Sequence, residues 1–344
     1  MKEEQKQILA HLFRAWCGEE ADEFRPIPRS GSNRSYYRLI STNHTAIGVN
    51  NPDYKENRAF IYMTRFFSHE RVAVPSLLGE DLSHEVYLTE DLGDQTLFDL
   101  ITQNPDDPAR DPRIRKMIRE ALRELARIQV VAARKMNFSF CYPYTCFHRE
   151  SITYDLHYFR EQFLEQTSIN YNKKQLDRDF EDLAGLILEA GQEYFMYRDF
   201  QSRNIMVRQD KLYFIDYQGA RKGPLQYDLA AFLYQARARL PESFREEMVG
   251  HYLKVARMLT PIDERAFRKY FYPIALLRVL QTLGAYGLRG LKEKKKHFIH
   301  SIPYALKNLE CLYPRIPELN DLPELQGIIH RLMYTKIPYN EANQ

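Results

Sequence analysis

The sequence predicts an α+β chain with a small strand-rich lobe followed by a larger, mostly helical lobe. Short apolar runs separated by Gly, Ser and Asn fill about the first 90 residues, and long helical repeats of apolar residues fill the rest. The regular strand–helix alternation of a doubly wound sheet is missing. The length of 344 residues is enough for more than one lobe. We place the boundary where the strand pattern ends, which gives lobes of residues 1–92 and 93–344.

The first lobe is predicted to contain one helix before its strands and one among them. Leu9, Leu12, Phe13 and Trp16 recur at helical spacing, which indicates a helix over residues 3–17. The segment "IPRSGSNRSYYRLIS" has the pattern strand, Gly-Ser turn, strand, and "TAIGVNN" adds a further short strand. A helical stripe follows in "KENRAFIYMTRFFSHERV", and "HEVYLTEDLG" indicates a strand that ends at an acidic turn.

The second lobe is predicted to be helical apart from one inserted hairpin. Three helices come first, in "RIRKMIREALRELARIQVVAARK", "ESITYDLHYFREQFLEQ" and "LDRDFEDLAGLILEAGQ". A strand pair follows in "NIMVRQDKLYFID", with its turn at Gln209-Asp210. Further helices are predicted in "YDLAAFLYQARARL", "ESFREEMVGHYLKVARML", "ERAFRKYFYPIALLRVLQTLGAYGLRG" and "FIHSIPYALKNLECLY".

Composition and charge argue against several classes of protein. Hydrophobic residues make up 44% and charged residues 28%, as in ordinary globular chains, and no apolar run approaches the roughly 20 residues of a membrane helix. The net charge of +3 does not imply nucleic-acid binding. The four cysteines form no CxxC pair, and the N-terminus lacks a signal-peptide pattern. We therefore expect a cytoplasmic protein with reduced thiols and with neither a nucleic-acid nor a membrane partner.

Two acids and one amide lie close together around the predicted hairpin. "YRDFQSRNIMV" sets Asp199 five residues before Asn204, and "FIDYQG" places Asp216 in an apolar run twelve residues later. A carboxylate on a loop can orient an attacking hydroxyl, while an amide oxygen and a second carboxylate can bind Mg²⁺, which prefers oxygen ligands and keeps several waters. These residue types in this order predict a site for phosphoryl transfer.

Each of these residues also has a simpler explanation. Asp199 and Asn204 could be turn or cap residues, because both types readily hydrogen-bond to nearby backbone. Asp216 is harder to explain in this way, because a lone carboxylate in an apolar strand is costly unless it is paired or bound to a metal. The three residues together favour the functional interpretation.

The motifs around these residues resemble those of a known group of enzymes. "YRDFQSRNIM" resembles the catalytic loop of protein-kinase-like enzymes, and "IDYQGA" resembles their D-F-G metal segment. "GPLQYDLAAFL" resembles a segment of the aminoglycoside phosphotransferase family, which is related to choline kinases. These motifs and "YLTEDLG" are most similar to the bacterial kinases that phosphorylate N-acetylmuramate and N-acetylglucosamine at the anomeric hydroxyl in peptidoglycan recycling. The resemblance covers roughly residues 8–315 and implies a protein-kinase-like two-lobed fold with ATP and Mg²⁺ as cofactors.

The resemblance implies a role for each residue of the predicted site. Asp199 would orient the acceptor hydroxyl or accept its proton, and Asn204 and Asp216 would bind Mg²⁺. Asp228 would brace the catalytic loop through a pairing with Arg198. Asp228 could instead be only the N-cap of the helix that follows it.

The nucleotide site implied by the resemblance has a phosphate loop and a hinge. The phosphate loop in "RSGSNRSYYRL" would consist of Gly31, Ser32, Asn33 and Arg34. The hinge beside adenine would consist of Glu90, Asp91 and Leu92. The loop has one glycine where the family has three, and Gly31-Ser32 could be an ordinary hairpin turn.

The sequence departs from the family at the lysine that normally grips the phosphates from a strand. The corresponding strand, "AIGVNN", has no lysine. We expect Mg²⁺, Arg34 or Arg38 to meet the phosphate charge instead, and Glu56 is one candidate for the partner of that cation on the following helix.

The acceptor is predicted from the resemblance and from the charge of the late helices. Arg237, Arg278 and Arg289 favour a neutral or anionic acceptor over a polycationic aminoglycoside. N-acetylmuramate carries a carboxylate, which arginine binds through a planar two-point contact, so one of these arginines is expected to face the sugar. The alternatives are an aminoglycoside, choline or homoserine phosphotransferase, and a catalytically inactive nucleotide-binding or scaffold protein, which the missing lysine suggests.

Overall fold

The computed structural model describes residues 2–28, 34–103 and 110–334 of the chain. Contacts divide the chain into two compact units. The first unit comprises Met1–Leu100, Lys135–Thr145 and Ser202–Arg221, and the second comprises Ile101–Arg134, Cys146–Gln201 and Lys222–Gln344. The first unit takes in the predicted hairpin, which lies far along the chain from the other strands. The lobe boundary after Leu92 stays a prediction.

The first unit is built around a five-stranded antiparallel sheet. Its strands are β1 (Glu23–Ile27), β2 (Ser35–Ile40), β3 (Thr45–Asn50), β4 (Leu77–Asp81) and β5 (Val86–Glu90). They lie in the order β1-β2-β3-β5-β4. The helices of this unit are α1 (Glu3–Cys17) and α2 (Tyr54–His69). The helices and the strands β2, β3 and β5 confirm the sequence prediction, whereas β1 lies earlier than predicted and ends at Ile27, where the predicted segment begins. The strand β4 was not predicted. It is an edge strand, half-exposed along its whole length and irregular between Leu77 and Gly79, so it lacks the alternation of a regular strand.

The core of this sheet lies between α1 and one face of the strands. The buried cluster consists of Leu9, Phe13, Leu39, Ala46, Val86 and Leu88. Because side chains alternate across a strand, the opposite face carries Tyr36 and Arg38 of β2. Their partners on β3 are Val49 and Ile47. This second face is the one relevant to the candidate site.

The second unit is mostly helical. Its helices are α4 (Pro112–Lys135), α5 (Arg149–Gln162), α6 (Lys173–Leu188), α7 (Leu225–Leu233), α8 (Glu242–Arg257), α9 (Glu264–Tyr286), α10 (Lys296–Ile299), α11 (Ile302–Leu312) and α12 (Pro323–Tyr334). A short helix, α3 (Leu97–Gln103), leads into this unit from the first. The strands β6 (Tyr194–Met196) and β9 (Arg221–Gly223) pair with each other. The α+β class predicted from the sequence is confirmed.

The predicted hairpin is formed by β7 (Ile205–Arg208) and β8 (Lys211–Phe214). Gln209 and Asp210 have φ angles of 51° and 60°, which confirms the predicted two-residue turn. Among the helices, the one predicted over residues 227–240 ends earlier, at Leu233. The long helix predicted to Gly290 ends at Tyr286 and continues as a π-helix over Gly287–Lys292.

Two glycines allow α9 to lie unusually close to α5. A Cβ atom on Gly284 would lie 2.7 Å from Cδ1 of Tyr158, and one on Gly287 would lie 2.5 Å from the carbonyl carbon of Gln162 and 2.7 Å from Cα of Phe163. The contact at Gly287 is with backbone, which cannot move aside as a side chain can. Only glycine fits at this point of the helix pair.

Substitution of Gly287 by alanine is therefore expected to destabilise the protein by about 3 kcal/mol or more, at the upper end of overpacking effects. The control is Gly250→Ala in α8, where an added Cβ meets nothing within 4 Å. That change should be neutral or should stabilise by up to about 1 kcal/mol, because alanine is the better helix former. Urea unfolding of both variants measures the difference, and equal stability of the two would contradict the close approach.

Among the described residues, none of the helices combines the length and the apolar character that a bilayer-spanning segment requires.

Candidate active site

The loop that contains Asp199 is held by a buried carboxylate. Asp228 of α7 accepts hydrogen bonds from the main-chain N–H of Tyr197 at 2.7 Å and from that of Arg198 at 2.9 Å. Arg198 has a φ of 80°, a left-handed conformation that costs free energy for a residue with a side chain. Asp228 therefore fixes the backbone immediately before Asp199 in a conformation that the loop would not adopt alone.

Asp228 itself depends on the donors around it. Burial raises the pKa of Asp228 to about 7, and the hydrogen bonds from Tyr197, Arg198 and Gln129 act in the opposite direction. Gln129 of α4 donates its Nε2 to the carboxylate at 3.0 Å and accepts a hydrogen bond from the hydroxyl of Tyr252. Because the desolvated charge needs all of these donors, the carboxylate and the loop backbone stabilise each other.

The side chain of Arg198 is anchored separately from its backbone. Its Nη2 lies 2.8 Å from a carboxylate oxygen of Asp155 in α5, and its Nη1 donates to the hydroxyl of Tyr227. Arg278 of α9 donates to the same hydroxyl at 3.0 Å. Both guanidinium groups lie 5.1 Å from the centre of the Tyr227 ring. Tyr227 thus joins Arg198 to α9 through hydrogen bonds and cation–π contacts.

These contacts refine the sequence-based expectations for Asp228. Asp228 does contact Arg198, but through the main-chain N–H, while the guanidinium pairs with Asp155. The alternative that Asp228 is the N-cap of its helix is wrong, because the N-cap position of α7 is Pro224. Asp228 instead lies inside a helix whose residues are all buried.

The three arginines predicted to face the acceptor lie in different surroundings. Arg278 is buried, with 4% of its surface exposed, and also donates to Gln281. Arg289 lies in the π-helical turn and pairs with Glu293 at 2.6 Å. Arg237 lies in a short 3-10 turn and is exposed. Their predicted role in acceptor binding stays a prediction.

In the first unit, the hairpin brings Asn204 and Asp216 together. Asn204 directly precedes β7, and Asp216 follows the end of β8 by two residues. The pairing of Ile205 with Phe214 places these two points at the same end of the hairpin. Nδ2 of Asn204 lies 3.2 Å from Oδ2 of Asp216. Asn204 is therefore more than a local turn residue.

The sequence suggested that Asp216 lies within a strand. In the structure it lies two residues beyond the end of β8. It has a φ of 69°, and 39% of its side chain is exposed. Its Oδ1 accepts hydrogen bonds from Nε2 of Gln218 at 2.7 Å and from Nη1 of Arg34 at 3.4 Å. The hydrogen bonds from Gln218 and Arg34 fix the direction of this carboxylate while part of it stays open to solvent.

The chemistry of this pair fits Mg²⁺. A carboxylate and an amide at one end of the hairpin supply the hard oxygen atoms that this ion prefers, and the ion needs only one or two protein ligands because it retains waters. The amide of Asn204 presents nitrogen to the carboxylate, and a half-turn of the side chain exchanges nitrogen and oxygen. Across the described residues, no group of three or more His, Cys, Asp or Glu residues could hold a metal.

The residues predicted for the nucleotide lie around the sheet. Glu90 ends β5 and accepts a hydrogen bond from Arg208 at 2.8 Å, and Asp91 pairs with Arg38 at 2.7 Å. Leu92 is buried. Gly31, Ser32 and Asn33 lie outside the described residues. The role of each in nucleotide binding stays a prediction.

Sequence reasoning missed two residues that support the loop before Asp199, namely Asp155 and Gln129. Asp155 interrupts a buried stripe of α5 that also contains Ile152, Leu156 and Phe159. Gln129 interrupts the buried stripe of α4 in the same way. A polar residue at an apolar position of an amphipathic helix is the signal that could have identified both, because such a residue must find a partner in the interior.

Asp228→Asn tests the support of the loop. Asparagine offers one acceptor oxygen where the carboxylate offers two, so one N–H of the loop loses its partner. We expect a loss of about 1–3 kcal/mol in stability, the usual cost of an unsatisfied buried group. Displacement of Asp199 should lower turnover by about 100-fold.

Asp179→Asn is the matched control for this prediction. Asp179 is also fully buried, and it accepts hydrogen bonds from the N–H groups of Glu324 and Leu325 and from Gln175. Asp179 lies in α6 and accepts hydrogen bonds from the first N–H groups of α12, so its substitution should affect stability while the folded protein keeps its turnover. Equal effects of the two variants on turnover would contradict the assigned role of Asp228. Chemical denaturation and steady-state kinetics supply both readouts.

Comparison with known proteins places this geometry in a family. A sequence profile of the phosphotransferase enzyme family matches residues 23–269. The chain is 23% identical over 327 residues to the N-acetylmuramate/N-acetylglucosamine kinase of Pseudomonas aeruginosa, and the alignment covers 92% of each chain.

Two solved structures show the same fold. Choline kinase from Cryptosporidium parvum has a TM-score of 0.59 at 13% identity, covering 94% of this chain and 99% of that one. The AMP-bound complex of spectinomycin phosphotransferase has a TM-score of 0.59 at 12% identity, covering 96% and 98%. These likenesses confirm the predicted protein-kinase-like fold class. Because the profile spans more than half of the sequence, the chain belongs to the phosphotransferase enzyme family.

Proposed function

We propose that the protein is an ATP- and Mg²⁺-dependent kinase that transfers the γ-phosphoryl group to the anomeric hydroxyl of N-acetylmuramate or N-acetylglucosamine. The observation that carries the kinase chemistry is the support of Asp199 by Asp228, together with the Asn204–Asp216 pair of the hairpin. The amino-sugar acceptor is supported by the name and the full-length similarity of the Pseudomonas aeruginosa relative. A cytoplasmic location stays a prediction from the sequence.

Asp199 acts on the acceptor hydroxyl in this proposal. Its carboxylate orients the hydroxyl and accepts its proton as the bond to phosphorus forms. Phosphoryl transfer depends mainly on positioning, so the fixed backbone of Arg198 contributes directly to the rate. This gives a function to the strain at Arg198.

Asn204 and Asp216 hold the metal ion in this proposal. These two side chains would hold Mg²⁺, which would supply positive charge against the phosphate groups. The left-handed backbone of Asp216 and its hydrogen bond from Gln218 orient the carboxylate before the ligand arrives. The main chain of Glu90, Asp91 and Leu92 would contact the base, at the point where β5 ends and the acidic turn begins.

We assign the contact with an acceptor carboxylate to Arg237 or Arg289 in preference to Arg278. Arg278 is buried and shares its donors between Tyr227 and Gln281. Moving it towards a substrate would remove a support of the catalytic loop. Arg237 and Arg289 are nearer to solvent and can contact a ligand without that cost.

The alternatives differ in the acceptor. Choline kinase and spectinomycin phosphotransferase share only the fold with this chain at 13% and 12% identity. An aminoglycoside, choline or homoserine acceptor is therefore less well supported than an amino sugar. Membership of an enzyme family argues against the inactive scaffold considered above.

Asp199→Asn is expected to lower turnover by about 100-fold or more while ATP binding changes little, because only the general base is removed. The control is Asp210→Asn at the tip of the hairpin, where the left-handed φ of 60° suits asparagine. Steady-state kinetics and nucleotide titration of both variants measure the effect. Unchanged turnover in Asp199→Asn would remove this residue from the mechanism.

The acceptor is tested with a panel of compounds in the presence of ATP and Mg²⁺. We expect ATP consumption with N-acetylmuramate or N-acetylglucosamine, together with loss of reducing ends, because a phosphate on the anomeric oxygen leaves the sugar non-reducing. Persisting reducing ends alongside ATP consumption would point to another hydroxyl. ATP consumption with kanamycin, choline or homoserine alone would establish one of the alternative acceptors. Omission of Mg²⁺ should abolish turnover with any acceptor.

A further inference from the structure

Related kinases carry a phosphate-binding lysine on the strand that corresponds to β3. In this protein, the face of the sheet opposite the α1 core has no lysine on β3. Tyr36 of β2 pairs with Val49, and Arg38 pairs with Ile47. These four side chains lie on the face opposite the core formed with α1. The residues that β3 contributes to this face are Thr45, Ile47 and Val49, and none of them carries a charge, so a phosphate-binding cation has to come from another element.

Arg34 lies at the start of β2 and in line with the same face. Two-residue spacing places it with Tyr36 and Arg38, and its Nη1 donates to the hydroxyl of Tyr36 at 3.1 Å. Only 7% of its surface is exposed. A buried arginine on this face is a charge that the fold has to stabilise from within.

Glu56 in the first turn of α2 stabilises Arg34. The two groups make a two-point contact, with Nε of Arg34 at 3.1 Å and Nη2 at 2.5 Å from the two carboxylate oxygens. Glu56 is itself held by Nδ2 of Asn51 at 2.7 Å. This two-point contact places a carboxylate directly against the buried guanidinium, so the charge of Arg34 is met by a partner within the first unit.

The other end of the guanidinium faces the proposed metal ligand. Nη1 of Arg34 lies 3.4 Å from Oδ1 of Asp216. A cation located between the acid of α2 and Asp216 lies where charge on the nucleotide phosphates would need to be met. Arg38 is placed differently, because it is paired with Asp91 and Asp94 at the acidic turn after β5.

We propose that Arg34 supplies, from the start of β2, the phosphate-binding cation that related kinases supply from a lysine on β3, and that Glu56 positions it. This inference rests on the proposed kinase function and identifies the residue that replaces the lysine. An arginine suits the task because its planar fork can bind phosphate oxygens at two points. In this proposal the phosphate-binding cation is provided by a different strand, so the absence of the lysine does not imply loss of activity.

Nucleotide selectivity distinguishes phosphate binding from a purely structural ion pair. Arg34→Met keeps most of the length of the side chain but removes the charge. We expect ADP and ATP, each with Mg²⁺, to bind about 10- to 100-fold more weakly, in line with the loss of a charge-assisted hydrogen bond. Adenosine has no phosphate, so its affinity should stay the same. Isothermal titration calorimetry gives the ratio of ADP to adenosine affinity for each variant.

Three further variants complete the test. Arg34→Lys should bind ADP more tightly than Arg34→Met, because lysine restores the positive charge but lacks the planar guanidinium that makes a two-point contact. Glu56→Gln should lower the ratio by a smaller factor than Arg34→Met, because the guanidinium remains but is less well oriented. The matched control is Arg25→Met on β1 of the same sheet, which removes an exposed arginine paired with Glu23. Its ratio should equal that of the parent protein.

The outcomes separate this inference from the proposed function. A parent protein that binds neither ADP nor ATP would overturn both. A parent that binds them, with an unchanged ratio in Arg34→Met, would overturn only the role of Arg34. Equal losses for ADP and adenosine would also overturn it, since they would indicate a structural ion pair. If Arg34→Met does not fold, Arg34→Lys and Glu56→Gln still report the ratio, and an unchanged ratio in both has the same meaning.

Discussion

The loop that precedes Asp199 depends on one buried carboxylate, Asp228, which accepts hydrogen bonds from two main-chain N–H groups. Asp228 lies inside a helix that is buried on every side, so its charge has to be met by protein donors. The N–H groups of Tyr197 and Arg198 meet that charge and in return hold Arg198 in a left-handed conformation. Removing the carboxylate of Asp228 would leave buried N–H groups without an acceptor, and moving the loop would leave the carboxylate without donors. The packing of the helical unit around α7 thus excludes water from Asp228 and fixes the loop next to it.

The first unit solves a similar problem with different residues. Asp216, like Arg198, is a non-glycine residue with a positive φ, and both lie where the predicted chemistry requires an exact direction of a side chain. Gln218 and Arg34 hold Asp216 by hydrogen bonds, and Glu56 holds Arg34 in turn. Within each unit, a residue with a positive φ and its hydrogen-bonded partners fix the backbone or side chain of a predicted site residue. The cost of that strain is offset by contacts that lie within the same unit.

Features that arise from short-range patterns could be predicted from the sequence. Features that depend on how distant strands and helices pair could not. Long amphipathic helices and the Gln209-Asp210 hairpin follow directly from local patterns. The edge strand β4 does not, because it is irregular and half-exposed. Arg34 and Arg38 were equally good candidates in the sequence, and only the pairing of β2 with its neighbours shows that one contacts Glu56 and the other Asp91. Asp155 was missed because its partner, Arg198, is 43 residues away along the chain.

Residues without any chemistry of their own also determine the geometry of the loop. Gly284 and Gly287 allow the end of α9 to approach α5 closely. Gly284 lies against the side chain of Tyr158, and Gly287 lies against the backbone of Gln162 and Phe163. Asp155 is carried by α5 and Arg278 by α9, and both reach the cluster around Arg198 and Tyr227. The separation of these two helices therefore sets how the two supports converge on the loop. A side chain at either glycine would push the supports apart, so the requirement for glycine here is a requirement of the candidate active site as well as of the core.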